Sequence, residues 1–526
     1  METKNIRLFS SILILLSGAV LIFIAWFVSY PVEIPSLEEH VFDRINPLLW
    51  IGLSMVFSSL YLASSVSKKP SFVYAMIFVF ALYIYYMFFP LLPGSDSHYF
   101  RGLTNYFSKV GVNPSLHKYF QWPAFFIINN FLISILGLNV NVVSKLFFIV
   151  IGFVTTISLF LLYSFHEQLG FIGVALYFTS LFYFINYQYA PQSLALALFL
   201  IFVSQVIKGD KYSMISSLLV FISLLLMHAI IPVYLLLFLL FLVVFRKRPL
   251  WELLSYMGIY IAYVIYIAVF YFKDIIKALN SILTMFQEEH EYAYIVQRTV
   301  QSSTVSQLDA IAQLFSRGIT LSLWALISLG FIFMLLKKKI DPYIFALFLS
   351  GLIHFSIGSI FNILGGRALQ IIFISLVSGV KFFIEKYTKI TKIYLLVIFL
   401  LFPLVIIHSI YDFRLVQTMS GERVSNVLLE HIRSPIKIFA APTDEYCVYG
   451  SLSMGTVDIL HPRFIQLNDL LAKKYDFIIY NPPLEKEMLY TSGYDYSQIY
   501  SLRKHFLLNY NKVLDDGYTQ LLFFSR

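Results

Sequence analysis

The sequence predicts a polytopic all-α membrane protein of about thirteen transmembrane helices, followed by a small C-terminal α/β extracytoplasmic domain. Three observations carry this. Hydrophobic residues make up 59% of the 526-residue chain and charged residues only 13%, with a mean hydropathy of +0.78, whereas soluble chains carry roughly 25% charged residues. Apolar runs long enough for a helix to cross ~30 Å of hydrocarbon recur along residues 1–410. Beyond 410 the composition turns polar and nearly neutral, with 12 Lys and Arg against 13 Asp and Glu over 411–526.

The spans are expected near 8–29, 48–66, 71–92, 141–164, 170–187, 191–208, 212–227, 229–245, 250–272, 316–336, 341–361, 367–384 and 393–410. The first run is longer than the apolar region of a secretory signal and lacks an A-x-A-like cleavage site, so it is expected to be retained. Fifty-three Phe and 37 Tyr fit lipid-facing bulk and interfacial belts. In the tail, "IKIFAAP", "YDFIIYNPP" and "TQLLFFSR" read as buried strands. "HPRFIQLNDLLAKK" and "YSQIYSLRKHFLLNYNKVL" have helical spacing. A lone Cys447 excludes an intrachain disulfide.

Orientation follows from the basic residues, which concentrate in cytoplasmic loops. Alternate short turns hold sixteen of them, including Lys68, Lys69, Arg246, Lys247, Arg248, Lys337, Lys338 and Lys339. The opposite, longer loops (93–140 and 273–315 foremost) hold eight, among them Arg101 and Arg367. The N-terminus is therefore expected in the cytoplasm and the 411–526 domain outside, with the plasma membrane as the expected location. The formal charge of +9 is an orientation signal. No basic stripe with interleaved aromatics points to nucleic acid.

An ionisable group in or beside a span is a functional candidate, because burying it is costly. "PGSDSHYF" places Asp96 and His98 just after the third span. "LLLMHAIIP" sets His228 in an outer hairpin, and "FINYQYAPQ" sets Asn186, Tyr187, Gln188, Tyr189 and Gln192 in another. His354, Asn362 and Arg367 fall near the outer end of later spans. All lie on one side. The inner turns are short and offer no Gly-rich phosphate loop and no acidic pair.

Together with the Pro-bearing segment "QWPAFFIINNFLISILGLN", read as an interfacial helix, and with "GGRALQIIFISL" and the α/β tail, this layout resembles the GT-C membrane glycosyltransferases. The resemblance covers most of the chain as architecture. It implies a loop acid in catalysis and basic residues holding a lipid phosphate. The acid here follows the third apparent span instead of the first, and no Trp-Trp-Asp occurs in the tail. The implied reaction moves a sugar from a polyprenyl-phosphate donor to a protein, lipid or glycan acceptor at the outer face of the membrane.

Such a transfer needs a base for the acceptor hydroxyl and donors for the leaving phosphate. Asp96 is the expected base, its carboxyl raised by partial desolvation, with His98 beside it. Arg367 is the expected phosphate ligand and His228 a second donor. Tyr187 and Gln192 are expected to bind substrate. Asp96, His98 and a residue of "FQEEHEY" offer mixed ligands for a possible divalent metal ion. Tyr292 and Tyr294 in the long outer loop suit a sugar-stacking lid. Bland readings stand beside these: Ser95 or Asp96 as a helix cap, Arg367 as a snorkelling residue, His228 as a hairpin break and His354 as an interhelical hydrogen bonder. A transporter or flippase of an amphiphilic substrate and a non-catalytic scaffold subunit are the alternative functions.

The orientation is checked with an impermeant maleimide. It should label Cys447 in intact cells; labelling only after lysis would place the tail inside.

Overall fold

The computed structural model describes residues 2–30, 32, 45–66, 71–88, 95–111, 118–165, 169–181, 189–268, 307–360, 365–411, 436–439, 457–460, 476–480, 484–485, 488, 496–515 and 520–523. Each of the thirteen expected spans contains a helix. In chain order these are α1 (Glu2–Ser29), α2 (Leu48–Val66), α3 (Ser71–Tyr83), α6 (Val140–Phe165), α7 (Phe171–Leu181), α8 (Pro191–Lys208) and α9 (Lys211–Met227). They continue as α10 (Ile231–Val244), α11 (Leu250–Tyr266), α12 (Gln307–Leu336), α13 (Pro342–Ile360), α14 (Gly365–Leu376) with α15 (Val380–Lys386), and α16 (Thr388–Tyr411). Two further helices, α4 (Ser95–Val110) and α5 (Ala124–Leu136), lie between α3 and α6.

Among the described residues seven stretches are long and apolar enough to cross a membrane: Asn5–Ser29, Leu48–Val66, Val140–Ser164, Pro191–Lys208, Leu314–Leu336, Ala368–Lys386 and Thr388–Ile406. The other expected spans hold shorter apolar helices. Helix α3, for example, tightens at Tyr83 into a 3-10 turn, Ile84–Phe88. Exposed Phe9, Phe23, Phe27, Leu219 and Ile390 are what a lipid-facing surface requires.

The core is aromatic. Phe57, Phe78, Phe399 and Phe402 join α2, α3 and α16, with Phe57 and Phe78 ring centroids 4.8 Å apart. Several side-chain donors reach carbonyls far along the chain. Tyr61 bonds Lys392 O at 3.0 Å, Tyr163 bonds Ile374 O at 2.8 Å, Trp324 bonds Ser180 O at 2.7 Å and Tyr263 bonds Gln121 O at 2.7 Å. Ile374 adjoins a 3-10 turn (Val377–Gly379) and Gln121 ends another (Lys118–Gln121), places where the helical ladder tightens or stops.

Beyond α16 five short strands form one mixed sheet in the order β2-β1-β3-β5-β4. They are β1 (Ile436–Phe439), β2 (Val457–Leu460), β3 (Phe477–Tyr480), β4 (Asn511–Asp515) and β5 (Gln520–Phe523). β1 runs parallel to β2 and β3, while β5 is antiparallel to β3 and β4. The three expected strands are present. The helix expected through residue 514 instead ends at Asn509 as α17 (Tyr496–Asn509), and 511–515 is strand. Its few apolar residues fit either period, and the free edge of β5 decides. "HPRFIQLNDLLAKK" and Cys447 lie outside the described residues. The buried Glu485 joins α17 to β3: its Oε1 is 2.7 Å from Arg503 Nη2 and also accepts the Tyr480 hydroxyl. Burial and that carboxylate push the Tyr480 phenol well above its ordinary range.

Helices approach most closely at glycines. A Cβ on Gly330 would collide with the carbonyl of Gly379, one on Gly379 with the backbone of Ile327 and Phe331, and Gly18 and Gly52 meet in the same way between α1 and α2. Gly330→Ala should therefore lower the thermal midpoint of detergent-purified protein, by the equivalent of about 1–3 kcal/mol. Gly258, which has open space around it, should accept Ala with no loss in the same assay.

Candidate functional site

Helix α4 carries the first candidate residues. Ser95 and Asp96 fall in its first turn, where an acid complements the positive end of the helix. The side chains of Asp96 and His98 lie outside the described residues. Their neighbours, however, define how the helix is held. Ser97, Arg101 and Thr104 are spaced as one helical face, and all are buried.

Tyr189, at the entry to α8, grips that face at two points. Its N–H donates to Ser97 Oγ at 3.0 Å, and its hydroxyl lies 3.2 Å from Thr104 Oγ1. Thr104 gives its own proton to Phe100 O at 2.7 Å, so the Tyr189 hydroxyl is the donor between them. Burial pushes the Tyr189 phenol well above its ordinary range, opposed by the Thr104 bond and the charge of Arg101. It therefore stays protonated. Around it pack Phe125 and Phe147, with ring centroids 5.0 and 5.6 Å away, and Phe126, Phe107 and Phe120 continue the aromatic packing from Phe125.

Arg101 is only 4% exposed. It sits within electrostatic reach of Tyr189 and of Lys145, a half-buried residue near the start of α6. Arg101 and Lys145 thus lie within electrostatic reach of one another where α4 packs on α6. The sequence reading counted Arg101 only as a loop charge and passed over Lys145 inside an apolar run. A charged residue in the second turn of a span was the available signal.

Helix α5 begins after Pro123 and ends at Gly137 in the left-handed region (φ 62°), as a Pro start and a Gly stop dictate. Its Phe125, Phe126 and Asn129 are buried while Ile127, Phe131 and Ile135 are exposed, which fits the expected interfacial helix.

His228 ends α9 and starts α10. Its N–H bonds Leu224 O at 3.0 Å, and its Nδ1 accepts the N–H groups of Ile230 and Ile231 at 3.1 and 3.4 Å. An accepting Nδ1 places the ring proton on Nε2. Tyr260 ties α11 to this turn through Ala229 O at 3.4 Å. Tyr260 and Tyr263 of α11 set the His228 hairpin and the 118–121 turn at one end of the bundle, and Phe100 and Phe107 pack α4 on that turn.

Gln192 lies in the first turn of α8, half-buried beside Tyr189 in the chain. Arg367 is in the first turn of α14, with its side chain outside the described residues. Tyr187, Asn186, Gln188, Asn362, Tyr292, Tyr294 and "FQEEHEY" also lie outside them. His354 is held in the packing of α13 on α10, Nδ1 3.3 Å from Ser350 O and its ring 3.8 Å from that of Tyr234. Among the described residues no three His, Cys, Asp or Glu converge as a metal-binding group.

Fold and site together define a polytopic α-helical membrane protein with a small C-terminal mixed sheet and a polar, aromatic-walled cluster at one end of its helices. No family model and no curated protein matches the chain. Among solved structures it is similar to ArnT from Cupriavidus metallidurans, crystallised bound to undecaprenyl phosphate, at 10% identity and a TM-score of 0.46, over 86% of this chain and 98% of that one.

The Tyr189 contacts are testable by stability. Ser97→Ala leaves a buried N–H without its acceptor and should cost about 1–3 kcal/mol. Tyr189→Phe and Thr104→Val should be non-additive by roughly 0.5–3 kcal/mol in a double-mutant cycle of denaturation midpoints.

Proposed function

We propose that this protein is a GT-C-type glycosyltransferase that moves a sugar from a polyprenyl-phosphate donor to an acceptor hydroxyl at the outer face of the plasma membrane, with its N-terminus in the cytoplasm. The observation that carries the reading is Arg101, buried on the helix that begins with Asp96, with Lys145 of α6 within its electrostatic reach. A phosphate is the group that the planar guanidinium of a buried arginine suits best.

In this reading the phosphate of the donor lies against Arg101 and Lys145, with Arg367 and the Nε2–H of His228 as further donors. The Asp96 carboxylate takes the acceptor hydroxyl's proton as the oxygen attacks the anomeric carbon. The bond from that carbon to the phosphate oxygen breaks, and polyprenyl phosphate leaves with the electron pair. Positions 96 and 98 stand about 200° apart around an α-helix. His98 is therefore assigned a separate task, facing donor or acceptor instead of orienting Asp96. That spacing also counts against one divalent ion held by Asp96 and His98 together, and turnover with and without added divalent ions tests it.

The test is transfer of labelled sugar from a panel of polyprenyl-phosphate sugars by purified protein in lipid. Asp96→Asn should reduce turnover by about 10²–10⁴-fold with the fold intact. Arg101→Ala and Arg367→Ala should weaken donor binding. Silence across donors and acceptors, with and without divalent ions, would move the assignment to transport or scaffolding.

A further inference from the structure

A second site lies at the opposite end of the bundle, between the turn that follows α10 and the turn that joins α12 to α13. These turns belong to the set that the charge pattern predicts to be cytoplasmic. A groove of about 350 Å³ is lined there by Phe245, Leu335, Lys338, Ile340, Pro342 and Phe345. That volume is at the lower end of the roughly 300–1,000 Å³ of ligand pockets. Phe245 and Phe345 stack across it with ring centroids 5.7 Å apart.

The two turns share a backbone design. Lys247 N–H bonds Leu242 O and Arg246 N–H bonds Val243 O; Lys339 N–H bonds Met334 O and Lys338 N–H bonds Leu335 O. Each is a helix-ending turn whose pivot residue takes the left-handed conformation, Arg246 at φ 56° and Lys338 at φ 53°. Glycine is the usual occupant, and this chain uses it after α5 (Gly137) and after α8 (Gly209). At the two turns that border the groove it places a cation instead, against the local backbone preference.

The charges are also uncommitted. Among the described residues Arg246, Lys247, Lys338 and Lys339 form no ion pair. Arg248 is the exception, 3.6 Å from Glu252 and bonded to Val206 O. Lys337 lies over the Phe382 ring. The acid within the second turn, Asp341, is occupied in part by the N–H of Tyr343 at 2.7 Å. Orientation by positive charge accounts for cations in such turns, but not for a groove or for cations at positions that favour glycine.

We propose that this groove binds an anionic glycerophospholipid of the surrounding leaflet. Its headgroup phosphate lies against Lys338 with Arg246 at the rim, and an acyl chain lies along the Phe245–Phe345 wall. The wall is apolar and sits at the ends of the apolar helices α10 and α13, beside the end of α12, which is long and apolar enough to cross a membrane; that setting favours a lipid over a free phosphate. The inference goes beyond the proposed transferase and uses none of its residues.

The test is native mass spectrometry of the full chain titrated with phosphatidylglycerol, with phosphatidylcholine of the same acyl chains, and with inorganic phosphate. Lys338→Gly and the Arg246→Gly/Lys338→Gly pair remove charge while giving each turn the residue its backbone prefers, and thermal midpoints without added lipid report that folding is kept. The expected result is preferential retention of phosphatidylglycerol, weakened about fivefold for each cation removed. Equal retention of both lipids, or unchanged retention in the folded double variant, overturns the proposal. Displacement of phosphatidylglycerol by millimolar phosphate also overturns it, making the site one for a soluble anion.

Discussion

Hydrocarbon offers a peptide group no hydrogen-bond partner, and most of this chain is shaped by that fact. Backbone that crosses the bilayer must be helical, and backbone that is not helical must lie at the ends of helices or find a donor inside the protein. Both solutions are visible. The irregular and 3-10 segments at 84–88 and 118–121 lie near the end of the bundle that carries α4, while Tyr163 and Trp324 serve carbonyls near places where helices tighten or stop. Chemistry needs irregular backbone and polar side chains, so it is driven to one end by the same constraint.

At that end the polar residues are held by structure that is itself polar. Tyr189 fixes α4 through one backbone and one side-chain bond, and aromatic rings exclude alternatives around it. Arg101 lies inside this packing, not on the rim, so its position is set by the helix and not by a flexible loop. A site for a charged headgroup benefits from such rigidity, because the cost of gathering the cations is met on folding.

The spans were legible because twenty apolar residues in a row have few other uses, and all thirteen runs hold helices. The helix α5 was legible as well, from its Pro-bearing apolar segment. Lys145 was not, because a single cation does not break a hydropathy average. Nor was the pairing of Arg101 with it, since the two residues meet only through the packing of α4 on α6. His228 was flagged as polar, but its role as the acceptor that starts α10 depends on ring orientation, which no spacing encodes. Strand 511–515 was missed because five residues cannot distinguish a period of 2 from one of 3.6.

The long-range donors also set a clock on biogenesis. Tyr61 takes its acceptor from Lys392, 331 residues later, and Tyr163 takes its own from Ile374, 211 residues later. At about 5–20 residues per second, Tyr61 waits roughly 15–65 s for its partner to leave the ribosome. During that interval the early helices must sit in lipid or beside the insertion machinery with buried-to-be hydroxyls unsatisfied and with the glycine seam of α12 not yet made. The last crossing helix, α16, packs on both α2 and α12, so its arrival closes the ring of contacts that the first helices left open.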